Sequence, residues 1–181
     1  MTEPAEGALA LRPARDTEGD EAFFFALFTA TRAAEMAAMP IDTKAKDFLL
    51  RVQHRSMTDT YRREYPNARW EVIELEGEPV GRLVTDVGDA CITYVDIAIL
   101  PQAQGRGLAR RVMLKALEEP RRLGLPARVS VLMQNVASLR LCERLGFVRA
   151  EESPTFVRLE WIGEKRGDAT ADSVCGGVKT S

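Results

Sequence analysis

One histidine, His54, and three widely spaced cysteines, Cys91, Cys142 and Cys175, are all the imidazole and thiol ligands this 181-residue chain contains. That is too few for a zinc site of Cys and His, and an odd, dispersed set of cysteines does not make a disulfide framework. Long apolar runs are missing as well. The densest, Phe23 to Phe28, has six residues, against the roughly 18 that a membrane-spanning helix needs. The amino end carries Glu3 and Glu6 and no basic start, unlike a secretory signal. Basic excess is also absent: 25 Lys and Arg face 27 Asp and Glu, a net charge of −2. Average electrostatics therefore give no pull toward nucleic acid or anionic lipid. These absences leave a soluble cytoplasmic protein as the expectation, with no metal, no nucleic acid and no membrane among its partners.

What is present is ordinary for a globular chain, 45% hydrophobic and 29% charged residues. The length predicts one domain with short extensions. Residues 1–7 read as a disordered arm, 8–162 as the domain, and the Gly-, Ser-, Asp- and Lys-rich 163–181 as a disordered tail. Ala8 to Arg12, stopped by Pro13, suits an edge strand. Asp16, Thr17 and Asp20 offer N-caps for a helix running to about Ala38, and Asp42 or Thr43 caps a second that ends before Pro66. The period then changes. Trp70 to Glu76 and Pro79 to Asp86 are strand-like and joined by a hairpin signal at Gly77-Glu78. Cys91 to Leu100 is the most strand-like run. Gly107 to Glu119 has helical spacing and halts at Pro120; Val129 to Met133 is a buried-type strand. Val136 to Leu145 is a helix closed by Gly146, and Thr155 to Trp161 is the last strand. Strand–helix–strand–helix in the middle of the chain predicts a mixed α/β sheet.

The chemistry concentrates in Val95-Asp-Ile-Ala-Ile-Leu-Pro-Gln-Ala-Gln-Gly-Arg-Gly-Leu-Ala-Arg-Arg111. A strand runs into a tight glycine turn and a helix starts directly after it. Free N–H groups and the helix dipole make the start of that helix attractive to an anion. Gly105 and Gly107 remove the Cβ atoms that would block close approach, which is the physics of a phosphate site. No Gly-Lys-Ser/Thr follows, so the P-loop pattern fails, and Arg110 stands where a dinucleotide fingerprint needs its third glycine.

Gln102-x-x-Gly105-x-Gly107 instead resembles the pyrophosphate signature of the GNAT family of acyl-CoA N-acyltransferases. Asn135-Val-Ala-Ser-Leu-Arg-Leu-Cys-Glu-Arg-Leu-Gly-Phe147 resembles that family's helix after the fifth strand. The resemblance implies a twisted, mixed, mostly antiparallel sheet of six to seven strands, splayed between the fourth and fifth and flanked by about four helices. It implies acetyl-CoA as cosubstrate and a primary amine of a small molecule or protein as acceptor. A homodimer is compatible with it. Backbone groups of Ile97, Ala98 and Ile99 would pair with the pantetheine arm, and one N–H there would stabilise the developing oxyanion. Gln102, Gln104, Gly105, Arg106, Gly107, Leu108, Ala109 and Arg110 would cradle the pyrophosphate, with Arg111, Asn135 and Arg140 as further cofactor-side groups.

An attacking amine must be neutral, so a base has to take its proton. Asp96, which shares a strand face with Tyr94 and Ala98, is the first candidate and Tyr94 the second. Asp96 equally suits a pair with a neighbouring strand residue, and Tyr94 suits core packing. Glu71 and Glu74 on the preceding hairpin are further candidates. Many family members carry a tyrosine four residues before the Gly of Leu-Gly-Phe, where it can protonate the departing thiolate. Here that position is Cys142, a weak donor that suits helix packing better than acid catalysis. His54, Phe23 to Phe25, Met36 and Met39 read as surface or core, with apolar walls for any acceptor site they border. The alternative to an enzyme is a catalytically weak CoA-binding module, motivated by Cys142. A nucleotide-binding domain of other chemistry is the third reading. Charge is segregated: Gln102 to Lys115 holds four bases and no acid, whereas Trp70 to Glu78 holds Glu71, Glu74, Glu76 and Glu78 and no base. The acidic hairpin suggests an entrance for a cationic amine.

Overall fold

The computed structural model describes residues 7–15 and 17–163. Most of the expected arm and tail, and the candidate cap Asp16, lie outside the described residues. Seven strands form one mixed sheet in the order β1-β2-β3-β4-β5-β7-β6, with β4 and β5 parallel. The described chain divides into two compact units. The first comprises the described residues through Asp86 together with Tyr94–Met113; the second comprises Val87–Thr93 and the described residues from Leu114 onward.

In the first unit, β1 (Leu9–Pro13) lies at the sheet edge and pairs antiparallel with β2 (Arg69–Leu75), which pairs with β3 (Glu78–Val87). The hairpin loop is Glu76-Gly77, one residue earlier than the expected Gly77-Glu78, and the reason is conformational. Both loop residues have positive φ, 57° and 85°. That matches the twist of the strands and puts the glycine in the second loop position. Between β1 and β2 come three helices, α1 (Glu18–Thr31), α2 (Ala33–Ala38) and α3 (Thr43–Glu64). Thr17 caps α1 and Asp42 caps α3, each accepting from the N–H three residues on. Asp20 is used otherwise: its carboxylate takes a fork from Arg12 at 2.8 and 2.9 Å and the Arg15 N–H at 2.8 Å.

The single helix expected to reach Ala38 breaks at Arg32, whose φ and ψ of −108° and 7° leave the helical basin. Just before the break the Thr31 hydroxyl donates to the Phe28 carbonyl at 2.9 Å. A β-branched residue that back-bonds in this way competes with the helix ladder. Phe28, Met36 and Leu50 then close a small core among the three helices, with Phe25, Met39, Leu49 and Met57 packed on it.

In the second unit, β5 (Ala127–Leu132) pairs with β7 (Phe156–Trp161), and β7 with β6 (Val148–Glu152). Strand β6 escaped the sequence reading because all five of its residues are exposed and show no apolar alternation. The helix expected to halt at Pro120 is two helices, α4 (Leu108–Ala116), shared by both units, and α5 (Glu118–Leu123). Pro120 sits in the first turn of α5, where no N–H is needed. Helix α6 (Val136–Arg144) is capped by Asn135, which accepts from Ser138 N–H at 3.2 Å. At its end Gly146, with φ 88°, donates to Glu143 and Phe147 donates to Cys142, each at 3.0 Å. That is the paired Schellman closure, and it explains the Leu-Gly-Phe sequence physically.

Strand β4 (Ile92–Ile99) follows β3, and Gly81 lies beside it. A Cβ at Gly81 would run into the Ala98 carbonyl oxygen, a backbone atom that cannot swing aside. Gly81→Ala is therefore expected to lower stability by about 1–3 kcal/mol, the usual cost of overpacking. Urea denaturation checks this, and an unchanged midpoint would show that β4 shifts freely.

Candidate active site

Beyond β4 the chain makes one 3₁₀ turn, Pro101–Ala103, and enters α4 through Gln104-Gly-Arg-Gly107. Gly105 and Gly107 have φ of 78° and 71°, a region that costs any side-chain-bearing residue. Nothing lies within 4 Å of where their Cβ atoms would be, so glycine is required here by backbone shape and the turn is open to a ligand. Gln104 holds the turn to the strand, its amide donating to the Ile99 carbonyl at 2.8 Å. Gln102, Arg106 and Arg110 are exposed, Ala109 is half-buried, and Leu108 is buried as the helix's inner anchor. Arg106 and Arg110 have no acidic partner among the described residues. Arg111 differs: its guanidinium donates to the Gly7 carbonyl at 2.6 Å.

Asp96 projects from the middle of β4 and is held by a residue the sequence reading missed. Arg82, on β3, donates to the single oxygen Oδ2 of Asp96 from Nε at 3.0 Å and from Nη2 at 2.7 Å. The Arg82 side chain is 3% exposed and that of Asp96 19%. The other carboxylate oxygen, Oδ1, takes no hydrogen bond from the described residues. The guanidinium carbon lies 5.5 Å from the centres of both the Phe24 and Trp70 rings. A signal for Arg82 existed: in Val80-Gly-Arg-Leu-Val84 period-2 alternation puts a charge on the face of two valines. Tyr94 is 2% exposed and belongs to the core.

Helix α3 lines this side of the first unit. His54 packs edge-on between Phe25 and Phe28, ring centres 5.4 and 5.2 Å away. Burial, then Arg82 and Arg32, push its pKa down. Its Nε2, Thr58 Oγ1 and Arg82 Nη1 are buried without a protein partner. The next two turns of α3 bring Met57 and Tyr61 to the same side: Met57 Sδ is 3.9 Å from Arg82 Nη2, and Tyr61 packs on Trp70 at 6.2 Å. Burial pushes the Tyr61 phenol up to about 12. The hairpin acids are less available than their sequence suggested. Glu74 accepts from Arg12 Nε at 2.8 Å, Glu76 occupies the hairpin turn, and Glu71 is half-buried.

The remaining sequence candidates belong to the second unit. Asn135 spends its side-chain oxygen on the α6 cap, and Arg140 is exposed. Cys142 is 5% exposed, and burial pushes its thiol up to about 11. The structure thus gathers Tyr94, Asp96, Ile97 to Ile99 and the glycine turn along one stretch of the first unit, and holds Asn135, Arg140 and Cys142 on α6 in the second.

Residues 37–147 match the Acetyltransferase (GNAT) family, well over half of the chain. The chain belongs to this acetyltransferase family. Solved structures of the same fold include the PaiA N-acetyltransferase of Thermoplasma acidophilum in complex with coenzyme A. It is 10% identical over 84% of this chain and 98% of that one, with a TM-score of 0.63. An acetyltransferase from Thermus thermophilus is 21% identical, over 85% and 96% of the two chains, with a TM-score of 0.60. The ribosomal-protein-S18-alanine N-acetyltransferase of Escherichia coli is 15% identical, over 90% and 99%, with a TM-score of 0.62. No curated protein sequence matches the chain. Among the described residues no helix is long and apolar enough to cross a membrane.

The His54 environment yields a pH prediction. A histidine whose folded pKa is depressed contributes stability above its unfolded value of about 6.5 and loses it as pH falls through the folded one. His54→Phe is expected to flatten the stability loss between about pH 7 and pH 5. Urea midpoints at the two values test it, and equal slopes for both proteins would refute it.

Proposed function

We propose that this chain transfers an acetyl group from acetyl-CoA to a primary amine of a small molecule or protein, by direct attack in a ternary complex. The observation that carries the reading is the strand-to-helix turn. Two left-handed glycines, open space above them and two unpartnered arginines precede or open α4 in a chain of the acetyltransferase family. Backbone N–H groups of residues 105–110 would hold the pyrophosphate, and Arg106 and Arg110 would answer phosphate charge. Ile97 to Ile99 would pair with the pantetheine arm and supply the N–H that stabilises the oxyanion. Cys91 and Cys142 are thiols and not disulfide sulfurs, which suits a reducing compartment such as the cytoplasm.

The acceptor nitrogen attacks the thioester carbonyl, and the tetrahedral intermediate collapses with loss of the CoA thiolate. Asp96 would receive the amine's proton through Oδ1, the carboxylate oxygen that Arg82 leaves open. Tyr94, deep in the core, is the weaker choice. Cys142 is not a useful acid: a thiol at about 11 would give its proton uphill to an ordinary thiolate of pKa about 8.5. The departing thiolate then takes its proton from water, and Cys142 serves packing. Its pKa equally argues against a covalent acyl-cysteine.

Two measurements test the reading. Titration calorimetry with CoA and with ATP is expected to show CoA binding, weakened about 3- to 10-fold by Arg106→Ala or Arg110→Ala. ATP binding without CoA binding would overturn it. Thiol release from acetyl-CoA with an amine panel separates the enzyme from a CoA-binding module without turnover. Asp96 needs a double variant, because Asp96→Asn leaves Arg82 buried and uncompensated at a cost of about 3–5 kcal/mol. Arg82→Met with Asp96→Asn is expected to recover much of that stability and none of the roughly 10²- to 10⁴-fold activity loss. Recovery of both would reduce Asp96 to a structural role.

A further inference from the structure

Arg32 stands at the break between α1 and α2, half-buried. Its guanidinium carbon lies 3.6 Å from the centre of the Phe28 ring. Its one side-chain hydrogen bond goes from Nη1 to the Thr31 hydroxyl at 3.5 Å, and it pairs with no carboxylate among the described residues. Burial outweighs every other influence on it and pushes its pKa down. Glu35 on α2, then Asp96, Tyr61 and Arg82, lie within electrostatic reach of it. Contacts connect the two sites: Arg32 covers Phe28, Phe28 packs on His54, and Met57, one turn further on, touches the Arg82 that holds Asp96.

A solvated arginine without a partner signifies nothing, but a desolvated one normally has a counter-ion. Of the nearby groups, Glu35 is exposed and forms no ion pair with Arg32, Arg82 and Asp96 already neutralise each other, Tyr61 is uncharged and His54 is depressed toward its neutral form. Arg82 Nη1 and His54 Nε2 remain as buried polar atoms without protein partners. The polar side chains around Arg32 therefore leave it without a paired anion, within electrostatic reach of a carboxylate with one oxygen open and beside the apolar cluster that holds Phe25, Phe28 and Met57.

We propose that Arg32 is the anchor for a carboxylate on the acceptor, and that the acceptor is a small amino carboxylate with an apolar body: its carboxylate meets Arg32 and its amino group meets Asp96. This rests on the acetyl-transfer reading and narrows it. The acceptor's own charge supplies the missing counter-ion. The acidic-entrance idea assigned the attraction to hairpin glutamates; here the amine is drawn by Asp96 alone and selected by its partner carboxylate.

The test uses the full chain with and without saturating CoA. Leucine and phenylalanine are titrated against leucinamide, phenylalaninamide and the decarboxylated amines, by calorimetry and by thiol release from acetyl-CoA. The amino acids are expected to bind about 10- to 100-fold more tightly than their amides, the range of a charge-assisted pair. Arg32→Gln is expected to collapse that ratio toward one through KM, and Arg32→Lys to restore part of it. Thermal melting confirms that the variants fold. Amides or plain amines that bind as well as the amino acids, or a ratio that survives Arg32→Gln, would overturn the proposal. Loss of CoA binding would instead defeat acetyl transfer, while the amino-acid titration without CoA still decides the carboxylate site.

Discussion

A guanidinium kept almost wholly from water sets the terms for the first unit. Burying Arg82 is tolerable only because Nε and Nη2 share one oxygen of Asp96 and the plane of the cation faces Phe24 and Trp70. Those contacts tie β3 to β4 and to α1 at a single point. The neighbouring Gly81 lets the Ala98 backbone come close. One dipeptide, Gly81-Arg82, thus sets both how near β4 lies and how its carboxylate is turned. The fork on Oδ2 also leaves Oδ1 available. The contact that stabilises the strand pair is the same one that orients the proposed base, so stability and chemistry cannot be separated by changing Asp96 alone.

The glycine turn follows a different logic, since nothing crowds it. Its two left-handed residues and the Gln104 side chain on the Ile99 carbonyl shape it from within a few residues of sequence. The Schellman closure at Gly146 is equally local. Local hydrogen-bond closure and φ requirements are written in short sequence, which is why these two segments carried the family resemblance while the rest of the chain did not. Thr17 and Asp42 as caps were legible for the same reason, whereas Asn135, read from sequence as a cofactor-side group, caps α6.

Elements whose determinants are not local were misread or missed. Strand β6 has no buried face, so its partner β7 and not its own pattern makes it a strand. The helix break at Arg32 turns on a hydroxyl taking a carbonyl, an event that average propensity does not register. The hairpin loop shifted by one because positive φ at Glu76, unusual for a residue with a side chain, is imposed by strand twist. Within the candidate site, Asp96 was legible from period-2 alternation, but its partner lies 14 residues away and was hidden among aliphatics. His54 read as a surface or satisfied residue; it is wedged between two rings with a buried, unpartnered nitrogen. No sequence spacing encodes that third-dimension neighbour.

Charge, read as a sum, concealed these distinctions. Glu74 and Asp20 are both engaged by Arg12, so part of the acidic hairpin is internally balanced. What distinguishes charges in the folded chain is the water each retains. Arg106 and Arg110 are exposed, and their lack of a counter-ion costs nothing until a phosphate arrives. Arg32 has given up part of its hydration to lie on Phe28 without gaining a carboxylate in return. A ring face compensates only part of that loss. The break between α1 and α2 holds this cation against Phe28, within electrostatic reach of the Asp96–Arg82 pair. A residue placed so, on a helix end that packing has defined, raises the affinity of that face for an anion before any acceptor binds, and it does so without adding to the net charge of the chain.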